Sequence, residues 1–374
     1  MKIYHIINQL AKGGAEKLLV EILPMYAQMG HNVTLVELTS MTSEIDEPKY
    51  RQILIKKGVR LQSLSNGNLW NPLLVFKLAR YLRSLEADVV HVHLFPALYF
   101  VSLSSLLIKN KVPFIYTEHS TQNKRSKKNY FKPIEKFIYK RFDVVIAISA
   151  IVFKRLETII SDKRKIRLIR NGIEVSRFMD AIPIPRSDLF DYNNTISEVK
   201  VISMVARFRP PKDQLSVVKA MCILPENYVV IFIGEGEKKP EVEELVRNSN
   251  LQHRVHFLGF RTDVPRIMKS VDLNILSSNY EGMSGVTLES LASGKPFIGS
   301  NVNGINDIVP DSSFLFEAGN PKMIAEKILT VMEDPICSKV MINKATQFVK
   351  QYDIRFMVKE HIRLYQEIIQ KTYL

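Results

Sequence analysis

Glu281–Gly294, EGMSGVTLESLASG, is the stretch from which the rest of the chain can be read. Ahead of it runs Val271-Asp-Leu-Asn-Ile-Leu-Ser-Ser278, an apolar segment of strand length. Behind Gly282 the apolar period changes to Val286, Leu288, Leu291 and Ala292, which predicts a helix closed by Gly294 and Pro296. The unit is strand, glycine-containing loop, helix, with Glu281 in the loop and Glu289 in the helix. A helix start exposes unpaired backbone N–H groups, so Met283, Ser284, Gly285 and Val286 form a candidate anion seat. Two carboxylates flanking such a seat suit a ligand that carries a diphosphate between two hydroxyl-rich groups. A nucleotide sugar is one. A plain helix start with solvated glutamates accounts for the stretch equally well, so the neighbouring segments must decide.

Upstream, the same alternation repeats. Val199–Ala206 is a predicted strand, followed by the loop Arg207-Phe-Arg-Pro-Pro-Lys212-Asp213, and Asp213 is placed to cap the helix through Leu215, Val218 and Met221. Tyr228–Ile233 is a strand ending in Gly234-Glu-Gly236, and Val255–Leu258 a strand ending in Gly259-Phe260-Arg261. Residues 178–198 carry two prolines, several Asp and Asn and no periodicity, the signature of a linker.

Before the linker the alternation is present again. Lys2–Ile7 is a strand, and Gly13 and Gly14 open a helix through Leu18, Leu19 and Ile22. This opening is Rossmann-like but lacks the full G-x-G-x-x-G, so it carries no dinucleotide assignment by itself. Asp88–His93 is a strand whose period places His91 and His93 on one side, with no third metal ligand evident beside them. Lys111–Tyr116 leads into Thr117-Glu-His119-Ser, a polar cluster at a strand's carboxyl end, where open α/β sheets place their chemistry. Segment 122–142, QNKRSKKNYFKPIEKFIYKRF, holds eight basic residues and one acidic. If helical, Lys132, Lys136 and Lys140 form one ridge, with Tyr130, Ile134, Phe137 and Ile138 on another face. Such an element suits an anionic membrane surface, and equally a core-packed helix with solvated lysines.

At 374 residues, two domains are expected, and repeated strand–helix units in both halves predict two doubly wound α/β domains facing across a cleft. The division falls at 1–180 and 181–354. Charge divides with it: residues 1–180 hold 29 Lys and Arg against 15 Asp and Glu, whereas residues 181–374 hold 23 of each. A basic first half attracts phosphate on membranes, nucleic acids or lipid-linked substrates. Cys222 and Cys337 lack partners at ligand spacing, and no Asp-x-Asp offers a divalent ion a carboxylate pair, so neither a disulfide nor a metal is expected. No signal peptide or run of about 18 apolar residues is recognisable, which predicts a cytoplasmic protein.

Over nearly its whole length the chain resembles the retaining glycosyltransferases of family 4, which have the GT-B fold. The resemblance rests on Glu281 and Glu289 with seven residues between, together with VARFRPPKD (205–213), GEG (234–236), HFLGF (256–260), NGIE (171–174), EHS (118–120) and GGAEK (13–17), in the family's order. It implies that Arg207 and Lys212 grip the donor diphosphate, that Glu289 holds the ribose and that Glu281 contacts the sugar. It implies that His119 stands beside the donor sugar, that Gly13 and Gly14 let backbone approach donor phosphate and acceptor, and that Gly234, Gly259, Phe260 and Arg261 line the nucleotide. It also implies that a C-terminal helix, about 355–374, returns to the first domain. Glu281-Gly-Met283-Ser284 departs from the family's usual EG-Phe-Gly, and Glu174 stands where Asp is commoner.

The resulting expectation is a metal-independent, retaining transferase, without a cofactor, that moves a sugar from a nucleotide-diphosphate donor, UDP-linked by preference. Its acceptor is a glycan or lipid-linked molecule of bacterial surface polysaccharide or lipopolysaccharide synthesis. The donor lies against the second domain and the acceptor against the first. Residues 122–142 would rest peripherally on the inner face of the membrane, and no nucleic acid is expected. The alternatives are a nucleotide-sugar 2-epimerase of the same fold and a non-catalytic nucleic-acid binder.

Overall fold

The structure is a computed structural model and describes residues 1–11, 13–40, 48–109, 112–119, 131–190 and 199–373. It consists of two compact units, Met1–Asn171 with Ile354–Leu374, and Gly172–Asp353.

In the first unit the chain alternates β1 (Lys2–Ile7), α1 (Gly14–Gln28), β2 (Asn32–Glu37), α2 (Pro48–Lys56), β3 (Arg60–Ser63) and α3 (Leu74–Arg83). It continues through β4 (Val89–His93), α4 (Ala97–Ser105), β5 (Phe114–Glu118), α5 (Lys132–Lys140), β6 (Val144–Ala147), α6 (Ala150–Glu157) and β7 (Ile166–Leu168). The seven described strands form one sheet in the order β3-β2-β1-β4-β5-β6-β7, with every described pairing parallel. Helix-mediated crossovers cover both faces of such a sheet, which is why these strands read as continuous apolar runs.

The second unit begins with α7 (Val175–Met179) and runs β8 (Lys200–Val205), α8 (Gln214–Met221), β9 (Tyr228–Ile233), α9 (Lys239–Asn248), β10 (Val255–Phe257) and α10 (Val264–Ser270). Then follow β11 (Leu273–Leu276), α11 (Gly285–Ala292), β12 (Phe297–Ser300), β13 (Leu315–Phe316), α12 (Pro321–Glu333) and α13 (Pro335–Val349). Its parallel sheet has the order β10-β9-β8-β11-β12-β13. Period-two alternation divides its apolar side chains between two cores. Ile202, Met204, Val230, Phe232 and Ile275 enter one, and Val201, Val229, Ile231 and Ile233 the other. Between the central strands, Ser203 Oγ donates to Asn274 Oδ1 at 2.7 Å inside the core and pins their register.

The last helix, α14 (Ile354–Tyr373), belongs to the first unit: Ile354, Met357, Val358, Ile362, Leu364, Tyr365 and Ile368 join α1 and the sheet in one core. The change of unit comes earlier than residue 180. Val175 and Phe178 are buried in the second unit's core, so α7 belongs there, including its end at 178–179, where the composition suggested the linker begins. Ile184, Leu189 and Phe190 are buried too, while 191–198 lie outside the described residues. Ile173 N donates to Tyr352 O at 3.0 Å, so the outgoing and returning segments run side by side.

Candidate active site

Open parallel sheets bind ligands beyond the strands' carboxyl ends, where the strand order reverses. In the second unit that reversal lies between β8 and β11. The two exit loops are tied together there. Asp213 N donates to Ser277 O at 3.1 Å, Asn279 N donates to Pro211 O at 2.9 Å, and Lys212 pairs with Ser278 in an isolated bridge. This brings Lys212 Nζ onto Glu281 Oε1 in an ion pair, the two side chains only 17% and 13% exposed. Arg207 is exposed on the same loop as Lys212, and its carbonyl accepts from Gln214 Nε2 at 3.1 Å. Asp213 caps α8 through Ser216 N, as its position predicted.

At the start of α11, Ser284 is the N-cap, its Oγ accepting from Thr287 N at 3.3 Å. The anion seat is narrower than the sequence suggested: the N–H of Ser284 donates to Gly304 O at 3.0 Å, and the seat is left to Met283, Gly285 and Val286. Gly304 is a site residue the sequence reading passed over. At φ +79° it lets the 301–304 loop lie against Glu281, whose backbone would stand 2.7 Å from any Cβ placed there. Its signal was the Asn303-Gly304 pair in the polar loop after β12. Glu289, one turn into α11, is buried.

Neighbouring exits are joined in the same way. Gly234 N donates to Gly259 O at 2.8 Å, and Ala206 N to Ile233 O at 3.0 Å. Gly234 has φ +143° and lies so close to the Arg207 loop that a Cβ would fall 2.1 Å from Ala206 O. Gly259, at φ +64°, continues the line. Phe260 beside it is exposed, whereas the guanidinium of Arg261 is held by both oxygens of Asp263 at 2.8 and 2.7 Å. The second unit therefore gathers Arg207, Lys212, Gly234, Gly259–Arg261, Glu281, Met283–Val286 and Glu289 at one edge of its sheet.

In the first unit the expected site residues are Gly13, Gly14 and His119. Its reversal lies between β1 and β4, where Asn8 bridges the exits: Nδ2 donates to Phe95 O at 2.7 Å and Oδ1 accepts from Ala97 N at 2.8 Å. Gly13 is the extended N-cap of α1 and lies against the carboxylate of Glu16. At Gly14 the space is open, so nothing inside the unit requires glycine there.

His119, just after β5, belongs to a histidine network. Its Nε2 lies 3.2 Å from His93 Nδ1, and His93 Nε2 lies 2.9 Å from His5 Nδ1. His91 is held between Thr117 Oγ1 and Tyr365 OH, each at 2.6 Å, and Tyr26 OH meets His361 Nδ1 at 2.6 Å. Burial, the largest cause throughout, holds these imidazoles neutral: His119 is lowered to about 4, His5 and His361 to about 3, and His91 and His93 well below the ordinary range. His5 supplies the third histidine that the sequence did not place beside His91 and His93; the sheet does so by pairing His5 with His91. Within this trio His5 and His93 are hydrogen-bonded to each other, and the spacing is not that of a zinc site. The trio's closest nitrogens stand at 2.9 Å, less than the ~3.3 Å set by two zinc–nitrogen bonds of about 2.0 Å at a tetrahedral angle, and both nitrogens of His91 are engaged.

The basic segment is described from Phe131; residues 122–130, Tyr130 among them, lie outside the described residues. On α5 Lys132, Lys136 and Lys140 are exposed, as are Ile134 (45%) and Phe137 (41%), while Ile138 and Tyr139 are buried. The helix's one acid, Glu135, is turned inward and accepts from Tyr99 OH at 2.6 Å. A second exposed apolar group, which the sequence reading missed, comprises Trp70 and Phe95, with ring centroids 5.6 Å apart, and Leu73 and Phe76. Among the described residues no helix is long and apolar enough to cross a membrane.

Residues 12–177 match the family model "Glycosyltransferase Family 4", and residues 186–348 match "Glycosyl transferases group 1". The chain is 24% identical over 306 residues to N-acetyl-alpha-D-glucosaminyl L-malate synthase of Bacillus anthracis, covering 79% of each chain. It is 25% identical over 360 residues to the N-acetylgalactosamine-N,N'-diacetylbacillosaminyl-diphospho-undecaprenol 4-alpha-N-acetylgalactosaminyltransferase of Campylobacter jejuni, covering 93% of this chain and 94% of that one. The crystal structure of Anabaena HepE in complex with UDP and glucose superposes with a TM-score of 0.82 at 20% identity, over 98% of this chain and all of that one. With two Rossmann-like parallel-sheet units and a family match in each, the chain belongs to the family 4 glycosyltransferases of GT-B fold.

Proposed function

We propose that the chain transfers a sugar from a UDP-sugar to a lipid-linked diphosphate saccharide, with retention at the anomeric carbon and without a metal ion. The observation that carries this is the Lys212–Glu281 ion pair at the strand-order reversal of the second unit, beside the start of α11. Lys212 offsets the charge of Glu281, so a carboxylate can face sugar hydroxyls close to a diphosphate without repelling it. When a donor binds, Lys212 Nζ is shared with the diphosphate oxygens, and Arg207 from the same loop supplies the second cation. As the bond from the anomeric carbon to the diphosphate breaks, negative charge develops on the leaving oxygen. Two cations and the N–H groups of Met283, Gly285 and Val286 stabilise that charge, the part a divalent ion would otherwise take. Glu289 accepts hydrogen bonds from the ribose.

The acceptor class is supported by the Campylobacter jejuni relative, which acts on a diphospho-undecaprenol saccharide, and the donor base by UDP in Anabaena HepE. The surface of the first unit fits the same acceptor class. With Glu135 turned inward, α5 offers lysines and apolar side chains and no acid, a composition suited to an anionic bilayer where lipid-linked acceptors reside.

A thermal-shift panel tests the donor assignment. UDP should raise Tm more than GDP or ADP, and short RNA should leave it unchanged. Stabilisation by RNA alone would contradict the proposal.

A further inference from the structure

The first-unit network contains more than the single histidine the family motif marks. His5 lies on β1 beside His91 on β4, and the period of β4 puts His93 on the same face, under α1 and α14. His5 and His93 are fully buried, and their rings stack at 5.2 Å, with His5 stacked on Tyr26 at 5.7 Å. Stacking on both sides fixes the ring planes, and among the described residues no charged side chain hydrogen-bonds to any of the three rings.

Three neutral imidazoles in series have one N–H each, so their protons must all run the same way. In one arrangement His5 Nδ1–H donates to His93 Nε2, and His93 Nδ1–H donates to His119 Nε2. The reverse arrangement starts from His119 Nε2–H and ends with the proton of His5 on Nε2. His5 Nε2 is buried with no partner among the described residues. The reverse arrangement therefore orphans a buried N–H, whereas the forward one leaves only a bare acceptor, the more tolerated of the two.

We propose that His93 and His5 are positioning residues that hold His119 in its Nδ1–H tautomer, so that this ring offers a hydrogen-bond donor to a substrate oxygen. The functional half of this rests on the reading of His119 beside the donor sugar; the tautomer itself does not. Without the chain His119 would divide between two tautomers, and only one of them could donate from its outer edge. His119 has no bond on Nδ1 to any described residue, which leaves that edge for a ligand.

Histidine-selective 15N labelling of the full chain and a two-bond 15N–1H correlation at pH 7.5 tests the proposal without any activity assay. The expected spectrum has protonated Nδ1 in His5, His93 and His119. A His119 pattern of the Nε2–H form would overturn the proposal. His93→Asn keeps an N–H near the position of Nδ1 and should keep the His119 pattern, with kcat/KM within about threefold of wild type. His93→Leu should give mixed His119 tautomers and lower kcat/KM about tenfold, the size expected for one lost hydrogen bond. An unchanged His119 pattern in folded His93→Leu would also overturn it. If His93→Leu does not fold, the wild-type and His93→Asn spectra decide. Should transfer be absent altogether, the spectra still test the chain, and only the reading of His119 as a sugar contact fails.

Discussion

Acidification from pH 7 to pH 5 should remove the first unit's stability well before the second's. His5, His91, His93, His119 and His361 are all held neutral in the folded unit, chiefly by burial. Unfolded histidine titrates near 6.5, so at pH 5 the unfolded chain binds a proton on each while the folded unit binds none. Their folded values lie below the unfolded one, so the stability they lend is complete above about pH 6.5 and is lost as pH falls toward the folded values of about 3 to 4. Each group then costs about 2 kcal/mol at pH 5, somewhat less for His119, whose edge is accessible to solvent. Five together approach 10 kcal/mol, comparable with the entire stability of a typical domain. The second unit has His253 and His256 alone and no such cluster. Trp70, the chain's single tryptophan, lies in the first unit, so urea titrations followed by its fluorescence report that unit. Between pH 6 and 5 the unfolding free energy should fall with a slope of four to five protons (roughly 6 kcal/mol per pH unit). A slope of one proton or less would refute the reasoning.

Arg207→Ala and Lys212→Ala should each lower kcat/KM by roughly 100-fold, the size of losing one group that stabilises transition-state charge; near-normal turnover in both would remove them from the diphosphate site. Glu289→Gln should weaken UDP binding about tenfold and alter kcat little, because ribose contacts are made in ground and transition states alike, and equal UDP affinity by calorimetry would count against that role. Replacing Lys132, Lys136 and Lys140 together by Glu should reduce sedimentation with anionic vesicles at low salt, each lysine contributing about 1 kcal/mol. Equal sedimentation of variant and wild type would place the membrane contact elsewhere.

The strands were legible because parallel strands buried on both faces are short apolar runs, and the loops after them because glycine and polar residues interrupt those runs. The cap at Asp213 follows from local chemistry alone, as does the helix after Ser284. What the sequence hid depends on contacts between distant segments. His5 is a lone histidine in an apolar strand until the ladder sets it beside His91, 86 residues on. Gly304 draws the N–H of Ser284 away from the anion seat across a gap that no local pattern spans. Phe178 resembles linker in composition because α7 is short and followed by Pro183 and Pro185, and it is core because the second unit closes over it. The inward turn of Glu135 is set by Tyr99 on another helix, so the charge count alone could not reveal how basic the outer face of α5 is.

The central claim is tested most directly by incubating the full chain with a UDP-sugar panel and a polyprenyl-diphosphate saccharide in excess EDTA, and reading the new linkage by NMR. The account requires one UDP-sugar to yield a product with the anomeric configuration of its donor, at a rate the chelator does not change. An inverted product, or transfer that returns only when a divalent ion is restored, would contradict it.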